Sequence, residues 1–224
     1  MPSYQGVLLD VDGTLIDSND AHARAWSRAL KNHGFEVAYD EIRKRIGKGG
    51  DKVLRELAGL AHDEPQAKAI DADRAAIFKS DELPGLKAFP EAHELLERMK
   101  RRGLKLVVAS SAKREELEKL LAIIGAEELA EDATTSDDAE QSKPDPDIVA
   151  AALEQIGLPA EAVLMLGDTP YDVEAAARAG VGVVALRCGG WDDDALRGAV
   201  ALYDDPADLL EKYDDSPLSR GATA

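Results

Sequence analysis

Four short apolar runs constrain the fold more than anything else in the chain: "GVLLD" (6–10), "LKLVVAS" (104–110), "AVLMLGD" (162–168) and "GVGVVAL" (180–186). Each is rich in Val and Leu, and none alternates cleanly between apolar and polar residues. A strand with one wet face has to alternate, so these runs are expected as parallel strands covered on both faces. Two weaker strands are expected at "DATTS" (132–136) and "VALYD" (200–204). Between the runs lie helical patterns with readable ends. "EAHELLERMKRRG" (91–103) sets Leu95, Leu96 and Met99 on one face and stops at Gly103. "REELEKLLAIIG" (114–125) does the same with Leu117, Leu120, Leu121 and Ile124. A helix over 145–157 opens on Asp-Pro and closes on Gly157. Strand and helix alternate from about residue 88 onward, which predicts an α/β protein with a doubly wound parallel-sheet, Rossmann-like core.

Residues 17–87 break that alternation. "NDAHARAWSRALKNHG", "YDEIRKRI", "DKVLRELAGL" and "EPQAKAIDADRAAIFK" all carry helical spacing, with no strand pattern between them. The expected organisation is a core of residues 1–16 and 88–224 with an all-helical cap, 17–87, on the carboxyl edge of the sheet. Its hinges fall near Leu15–Ser18 and Leu83–Phe89, where Pro84, Gly85 and Pro90 punctuate the chain. "WDDDAL" (191–196) reads as a solvated helix start, and the tail "DDSPLSRGATA" (214–224) is expected to fray.

In an open α/β sheet, ligands bind beyond the carboxyl ends of the strands. The strong runs end there on polar groups: Asp10 and Asp12 after the first, Ser110 after the second, Asp168 at the end of 162–168. Lys143, in "QSKPDPD", precedes a helix. The extended chain turns Asp10 and Asp12 to one side, where two carboxylates repel unless a cation joins them or one is protonated. "GDTPYD" adds Asp168 and, one helical turn on, Asp172. Carboxylate oxygens with no nearby His or Cys ligand specify a hard cation, and Mg2+ suits phosphate chemistry. Gly13 and Thr14 allow a tight turn whose N–H groups can face a phosphoryl oxygen.

Composition narrows the partners. A net charge of -17 over 224 residues repels nucleic acid, although a pocket of Lys, backbone N–H groups and a cation can still hold a small anion. One cysteine, Cys188, excludes an internal disulfide and reads as a packing or loop residue. The start "MPSYQGVLLD" has no signal-peptide pattern, and no apolar run approaches membrane-spanning length. The expected setting is cytoplasmic, the expected partner a small phosphorylated metabolite, with neither nucleic acid nor membrane, and the chain a monomer or homodimer.

"DVDGT", "VVASS", "SKPDPD" and "GDTPYD", in that order, resemble the four motifs of the haloacid dehalogenase superfamily. The helical block after the first motif resembles its helical-cap subfamily, which includes phosphoglycolate phosphatases and beta-phosphoglucomutases. The resemblance covers nearly the whole chain. It implies Asp10 as a nucleophile forming an aspartyl-phosphate, and Asp12 as the acid and base serving leaving group and water. It further implies Ser110 (or its neighbour Ser111) as a phosphate ligand and Lys143 as the neutralising cation. Mg2+ would be held by Asp10, the Asp12 carbonyl and Asp168, with Asp172 bound directly or through a water.

Asp12 counts against dehalogenase and phosphonate-cleaving relatives, which differ at that position. A phosphomutase with the same machinery is the near alternative. A receiver-like phosphoacceptor module is a further one, against which the helical block counts. In that block, "GKGGDK" (47–52) offers Lys48 or Lys52 to an anionic substrate, or is simply a helix-breaking linker. His22 and Trp26 lie four apart on the first helix, Trp26 as helical core and His22 as a candidate to line the cleft.

Overall fold

The computed structural model describes residues 4–130, 132–135 and 141–220. Its strands are β1 (Gly6–Leu9), β2 (Lys105–Ala109), β3 (Asp132–Thr134), β4 (Val163–Gly167), β5 (Gly182–Leu186) and β6 (Ala201–Tyr203). They form one sheet in the order β3-β2-β1-β4-β5-β6, with every neighbouring pair parallel. β1 lies at its centre, where Leu8 pairs with Val107 on one side and Met165 on the other. The two weaker strands are β3 and β6, the edges of the sheet; the last residue of "DATTS" lies outside the described residues.

The absence of alternation has the expected cause. Successive side chains point to opposite faces, and both faces are dry. Leu8, Val107, Met165 and Val183 pack on one side with residues of α7 (Asp147–Ile156) and α8 (Pro170–Arg178), including Ile148, Ala152 and Ala175. Val7, Leu9, Leu106, Val108 and Leu166 pack on the other with α5 (Ala92–Arg101), α6 (Arg114–Ile124) and α9 (Pro206–Glu211), through Leu95, Met99, Leu117 and Leu209.

Residues 19–85 hold helices joined by loops: α1 (Asn19–Asn32), α2 (Tyr39–Arg43), α3 (Gly50–Ala58) and α4 (Pro65–Ile77), followed by a π-helical turn (Phe78–Glu82) and a 3-10 turn (Leu83–Gly85). Trp26, Leu30, Ile42, Leu54, Ile70 and Phe78 are buried among them. The outgoing and returning chains run side by side: Ile16 bridges Ala88 in antiparallel sense, Asp17 N–H donates to the Lys87 carbonyl at 3.0 Å, and Phe89 N–H to the Leu15 carbonyl at 3.0 Å.

Two expectations differ from the structure. Residues 193–198 form turns and no helix, because Gly198, at φ +113°, ends the run a few residues before β6 begins. The tail does not fray over 213–220. Tyr213 and Leu218 are buried in the sheet's apolar layer, and the Ser216 hydroxyl donates to the Tyr213 carbonyl at 2.7 Å. Two apolar anchors hold a segment whose composition is otherwise that of a loose end; residues 221–224 lie outside the described residues.

Candidate active site

The carboxyl ends of β1 and β4, the loop before α7 and the first turn of α8 gather Asp10, Lys143, Asp168 and Asp172 into one buried cluster, and Ser110 is buried at the end of β2. Lys143 is 1 % exposed, so its ammonium depends on protein partners. Its Nζ lies 2.6 Å from Asp10 Oδ1 and 2.7 Å from Asp172 Oδ1. Oxygens of Asp10, Asp168 and Asp172 all fall within 4.8 Å of one another. One ammonium therefore pairs with two buried carboxylates while a third, Asp168, lies beside them. Burial pushes the Asp10 carboxyl up to about 7 against the pull of Lys143, and Asp172 adds to the rise. Burial likewise lifts Asp168 well above the carboxylate range, with Asp10 and Asp172 adding. Lys143 is raised by the same two acids, which outweigh its own burial.

Each acid is aimed by its neighbours. The Thr14 hydroxyl sits 2.9 Å from both Asp10 Oδ2 and Asp168 Oδ1. Asn19, at the start of α1, donates from Nδ2 to Asp168 Oδ2 at 2.9 Å, while its Oδ1 is buried with no hydrogen-bond partner among the described residues. Asp172 Oδ2 accepts from the Thr169 hydroxyl at 2.7 Å and from Thr169 N–H at 3.0 Å, the reciprocal cap of α8. Asp172 is thus both a helix cap and half of the Lys143 ion pair. The donor set fits a hard divalent cation: three carboxylates, an orphaned amide oxygen beside them, and a shortage of positive charge.

Asp12 is held apart from that cluster. Its Oδ1 accepts the Ser18 hydroxyl at 2.6 Å and lies 2.8 Å from His22 Nε2. Burial would raise Asp12, but the His22 ring and the Ser18 hydroxyl outweigh it and hold the carboxyl below its ordinary range. His22 is itself fixed by stacking on Phe78, 4.0 Å between centroids and 8° from parallel. The cleft-lining candidate on the first helix is therefore in contact with one of the two strand-end acids.

The turn after β1 explains its glycine. Gly13 has φ +78°, and a Cβ there would lie 2.1 Å from Asn19 Nδ2 and 2.4 Å from Asp168 Oδ2. The Gly13 and Thr14 N–H groups close the turn onto the Ile16 and Val11 carbonyls. What this turn brings to the acids is the Thr14 hydroxyl. Gly189 is crowded from the other side, where an added Cβ would stand 1.8 Å from Asp168 Oδ2. Its neighbour Cys188 directs Sγ to the Gly13 carbonyl at 3.3 Å. Burial pushes this thiol up, so it is neutral and packs as expected of it.

Ser110 Oγ accepts the Ala112 N–H at 3.1 Å, whereas the buried Ser111 Oγ has no hydrogen-bond partner among the described residues. Asp10, Asp12, His22, Lys48 and Ser111 border an inner cavity of about 60 Å³. An outer cavity of about 450 Å³ shares Gly49, Gly50, Arg74 and Ser111 with it. Lys48 pairs with Glu56 at 2.5 Å and covers the Tyr171 ring at 4.8 Å. Lys52 reaches Asp145 at 2.7 Å, beside the loop that carries Lys143. Ser18, Asn19, Thr169 and Arg74 escaped the sequence reading. Polar residues at a helix start look the same whether they cap the helix or turn aside, and Ser18 makes no side-chain cap. Arg74 carried no motif at all.

Residues 7–186 match the family model described as haloacid dehalogenase-like hydrolase. Validoxylamine A 7'-phosphate phosphatase of Streptomyces hygroscopicus subsp. limoneus is 30% identical over 208 residues, covering 90% of this chain and 94% of that protein. Phosphoglycolate phosphatase of Rhodospirillum rubrum is 33% identical over 215 residues, 92% and 89% respectively. A hydrolase from Pseudomonas syringae superposes with a TM-score of 0.88 at 32% identity, over 94% of this chain and 98% of its own.

Proposed function

The chain belongs to the haloacid dehalogenase-like hydrolase family, and from that premise we propose that it is a Mg2+-dependent phosphatase of small phosphorylated metabolites. The observation that carries this reading is one buried ammonium, Lys143, set between Asp10 and Asp172 with Asp168 alongside. Two of the similar proteins are phosphatases by name, of phosphoglycolate and of validoxylamine A 7'-phosphate. Helices α1–α4 take the part of a cap over the carboxyl edge of the sheet.

In this reading Asp10 attacks phosphorus in line. Its oxygen–phosphorus bond forms as the bond to the leaving oxygen breaks. Lys143 holds the attacking carboxylate and neutralises charge beside it, and Thr14 fixes its other oxygen. Asp12 gives its proton to the leaving oxygen. It then takes one from the water whose oxygen bonds phosphorus as the Asp10 ester breaks, releasing inorganic phosphate. The His22 ring and the Ser18 hydroxyl, both on Asp12 Oδ1, hold this carboxyl in place for the transfer. Asp10, Asp168, Asp172 and the Asp12 backbone carbonyl would hold Mg2+, whose charge, when bound, neutralises the phosphoryl oxygens.

The direct test is inorganic phosphate release from a panel of phosphorylated metabolites, with Mg2+ and with EDTA. Turnover is expected with the metal and is expected to fall at least about a hundredfold under EDTA, and re-addition of Mg2+ is expected to restore it. Turnover indifferent to EDTA would remove the metal from the reading. Phosphate released stoichiometrically marks a phosphatase; rearranged product with little phosphate marks a phosphomutase.

His22→Asn provides a separate check. Without the ring the Asp12 carboxyl loses one of its two side-chain partners, and kcat is expected to fall about tenfold to a hundredfold with KM little changed. A rise in KM with kcat intact would place His22 in binding instead.

A further inference from the structure

We propose that Tyr171 is a positioning residue for the reaction: it holds the loop 44–49 against the first turn of α8, and so sets the wall of the inner cavity that faces Asp10 and Asp12. The inference rests on the phosphatase reading of that cavity and concerns how the leaving group is kept in place there.

The loop itself is the first ground. It joins α2 to α3, and its Ile46, Gly47, Lys48 and Gly49 border the inner cavity with Asp10 and Asp12. α2 ends at Arg43, so the Lys44 carbonyl lies past the last turn, where carbonyls need donors from outside the helix. The Tyr171 hydroxyl is that donor. The Lys48 ammonium lies over the same ring, 4.8 Å from its centroid, drawn to the negative face of the π system. One side chain therefore grips the loop on both sides of Ile46 and Gly47. Arg43 also reaches the Gly189 carbonyl at 2.7 Å, which secures the end of α2 but not the loop beyond it.

The second ground is what holds the Tyr171 ring. Trp191 meets it edge-on, 5.9 Å between centroids and 82° from parallel. Tyr171 stands between Pro170 and Asp172, in the turn whose reciprocal cap joins Thr169 to Asp172. The grip on the loop is thus anchored in the same turn of helix that carries the second partner of Lys143.

The third ground is how closely the loop approaches that turn. Gly47 has φ +100°, and an added Cβ would stand 2.6 Å from Thr169 Cγ2. At Gly49 an added Cβ would stand 2.3 Å from the Cβ of Ser142, the neighbour of Lys143. Held at Tyr171, Thr169 and Ser142, the loop presents the leaving group with a wall fixed to the residues that aim the acids. An alkoxide departs only if the Asp12 proton meets it as the bond breaks, which requires the leaving oxygen to be held in register with that carboxyl. A nitrophenolate departs without the proton, so it needs the wall far less.

The test compares Tyr171→Phe with the wild type in inorganic phosphate release from phosphoglycolate, glycerol phosphate, ribose phosphate and nitrophenyl phosphate, and in the Mg2+ concentration giving half-maximal rate. Phe keeps a ring beneath Lys48 and beside Trp191 and removes only the hydroxyl. On the alkyl phosphates that are turned over, kcat is expected to fall about tenfold, against less than about twofold on nitrophenyl phosphate. The Mg2+ requirement is expected to stay where it was. A ratio of rates within one preparation is insensitive to any fraction that fails to fold. An equal loss on alkyl and aryl esters, or no loss on either, would overturn the inference while leaving the phosphatase reading intact. A shifted Mg2+ requirement would do the same, because Tyr171 would then act through Asp172 and not through the loop. So would a wild type that releases phosphate from the aryl ester alone. No release by the wild type from any of the four overturns the phosphatase reading and this inference with it.

Discussion

Asp10→Asn is expected to abolish turnover, with kcat lower by at least about four orders of magnitude, in the range seen when a nucleophile is removed. An amide has the shape of the carboxylate without its nucleophilic oxygen, so positioning survives while chemistry stops. The fold is expected to survive as well. Lys143 keeps Asp172 at 2.7 Å, and the Thr14 hydroxyl keeps an oxygen to meet at residue 10. Two measurements check this: steady-state phosphate release, and intact mass after brief exposure to substrate. A phosphoryl adduct on the wild type and none on the variant supports attack by Asp10. Release that persists in the variant places the nucleophile elsewhere.

Lys143→Met is expected to strike both activity and stability. The Met side chain fills much of the same volume and carries no charge, so Asp10 and Asp172 are left buried without their common cation. Breaking a buried pair by removing one partner costs about 3–5 kcal/mol, which in a chain of this size lowers Tm by roughly 10 °C. The pH dependence has a definite sign. Lys143 pulls the Asp10 carboxyl down against its burial. Without that charge the folded-state pKa rises further, and a raised acid stabilises least when ionised. The deficit against wild type is therefore largest at alkaline pH and shrinks as pH falls towards about 4, where carboxyls of the unfolded chain also protonate. Thermal melts across pH decide it, and a deficit that grows on acidification would contradict the proposed pairing. Activity is expected to drop about a hundredfold to a thousandfold, as when a preorganised charge-stabilising group is lost.

What the sequence made legible, and what it hid, divides along a physical line. The sheet was legible because burial on both faces leaves a dense Val and Leu signature in Val7–Leu9 and Leu106–Val108. Asp10 and Asp168 were legible because a carboxylate at a strand end needs a reason to be there, and Lys143 through the motif its loop resembles. Asp172 was legible as an acid in the right place, but its double duty as helix cap and Lys143 partner was not. Ser18 and Asn19 were hidden because both belong to a helix start where polar residues are ordinary. Only in three dimensions does the Ser18 hydroxyl turn to Asp12 and the Asn19 amide to Asp168. Arg74 and Glu116 come together across 42 positions of chain, a distance over which no local pattern operates. The tail at 213–220 misled because two buried residues, Tyr213 and Leu218, are too few to set up a period.

The side-by-side crossings at Ile16–Asp17 and Lys87–Phe89 have a mechanical meaning. Two chains bonded edge to edge make a narrow ribbon, and a ribbon bends across its width far more readily than it shears along its length. Helices α1–α4 are held to the rest of the chain away from the ribbon as well, by Arg74–Glu116, Lys113–Asp71 and Lys52–Asp145, so any bend at the ribbon has to break these pairs. Ser18 and His22 lie just past the ribbon, which fixes the base of α1 and so sets both partners of Asp12 against the end of β1.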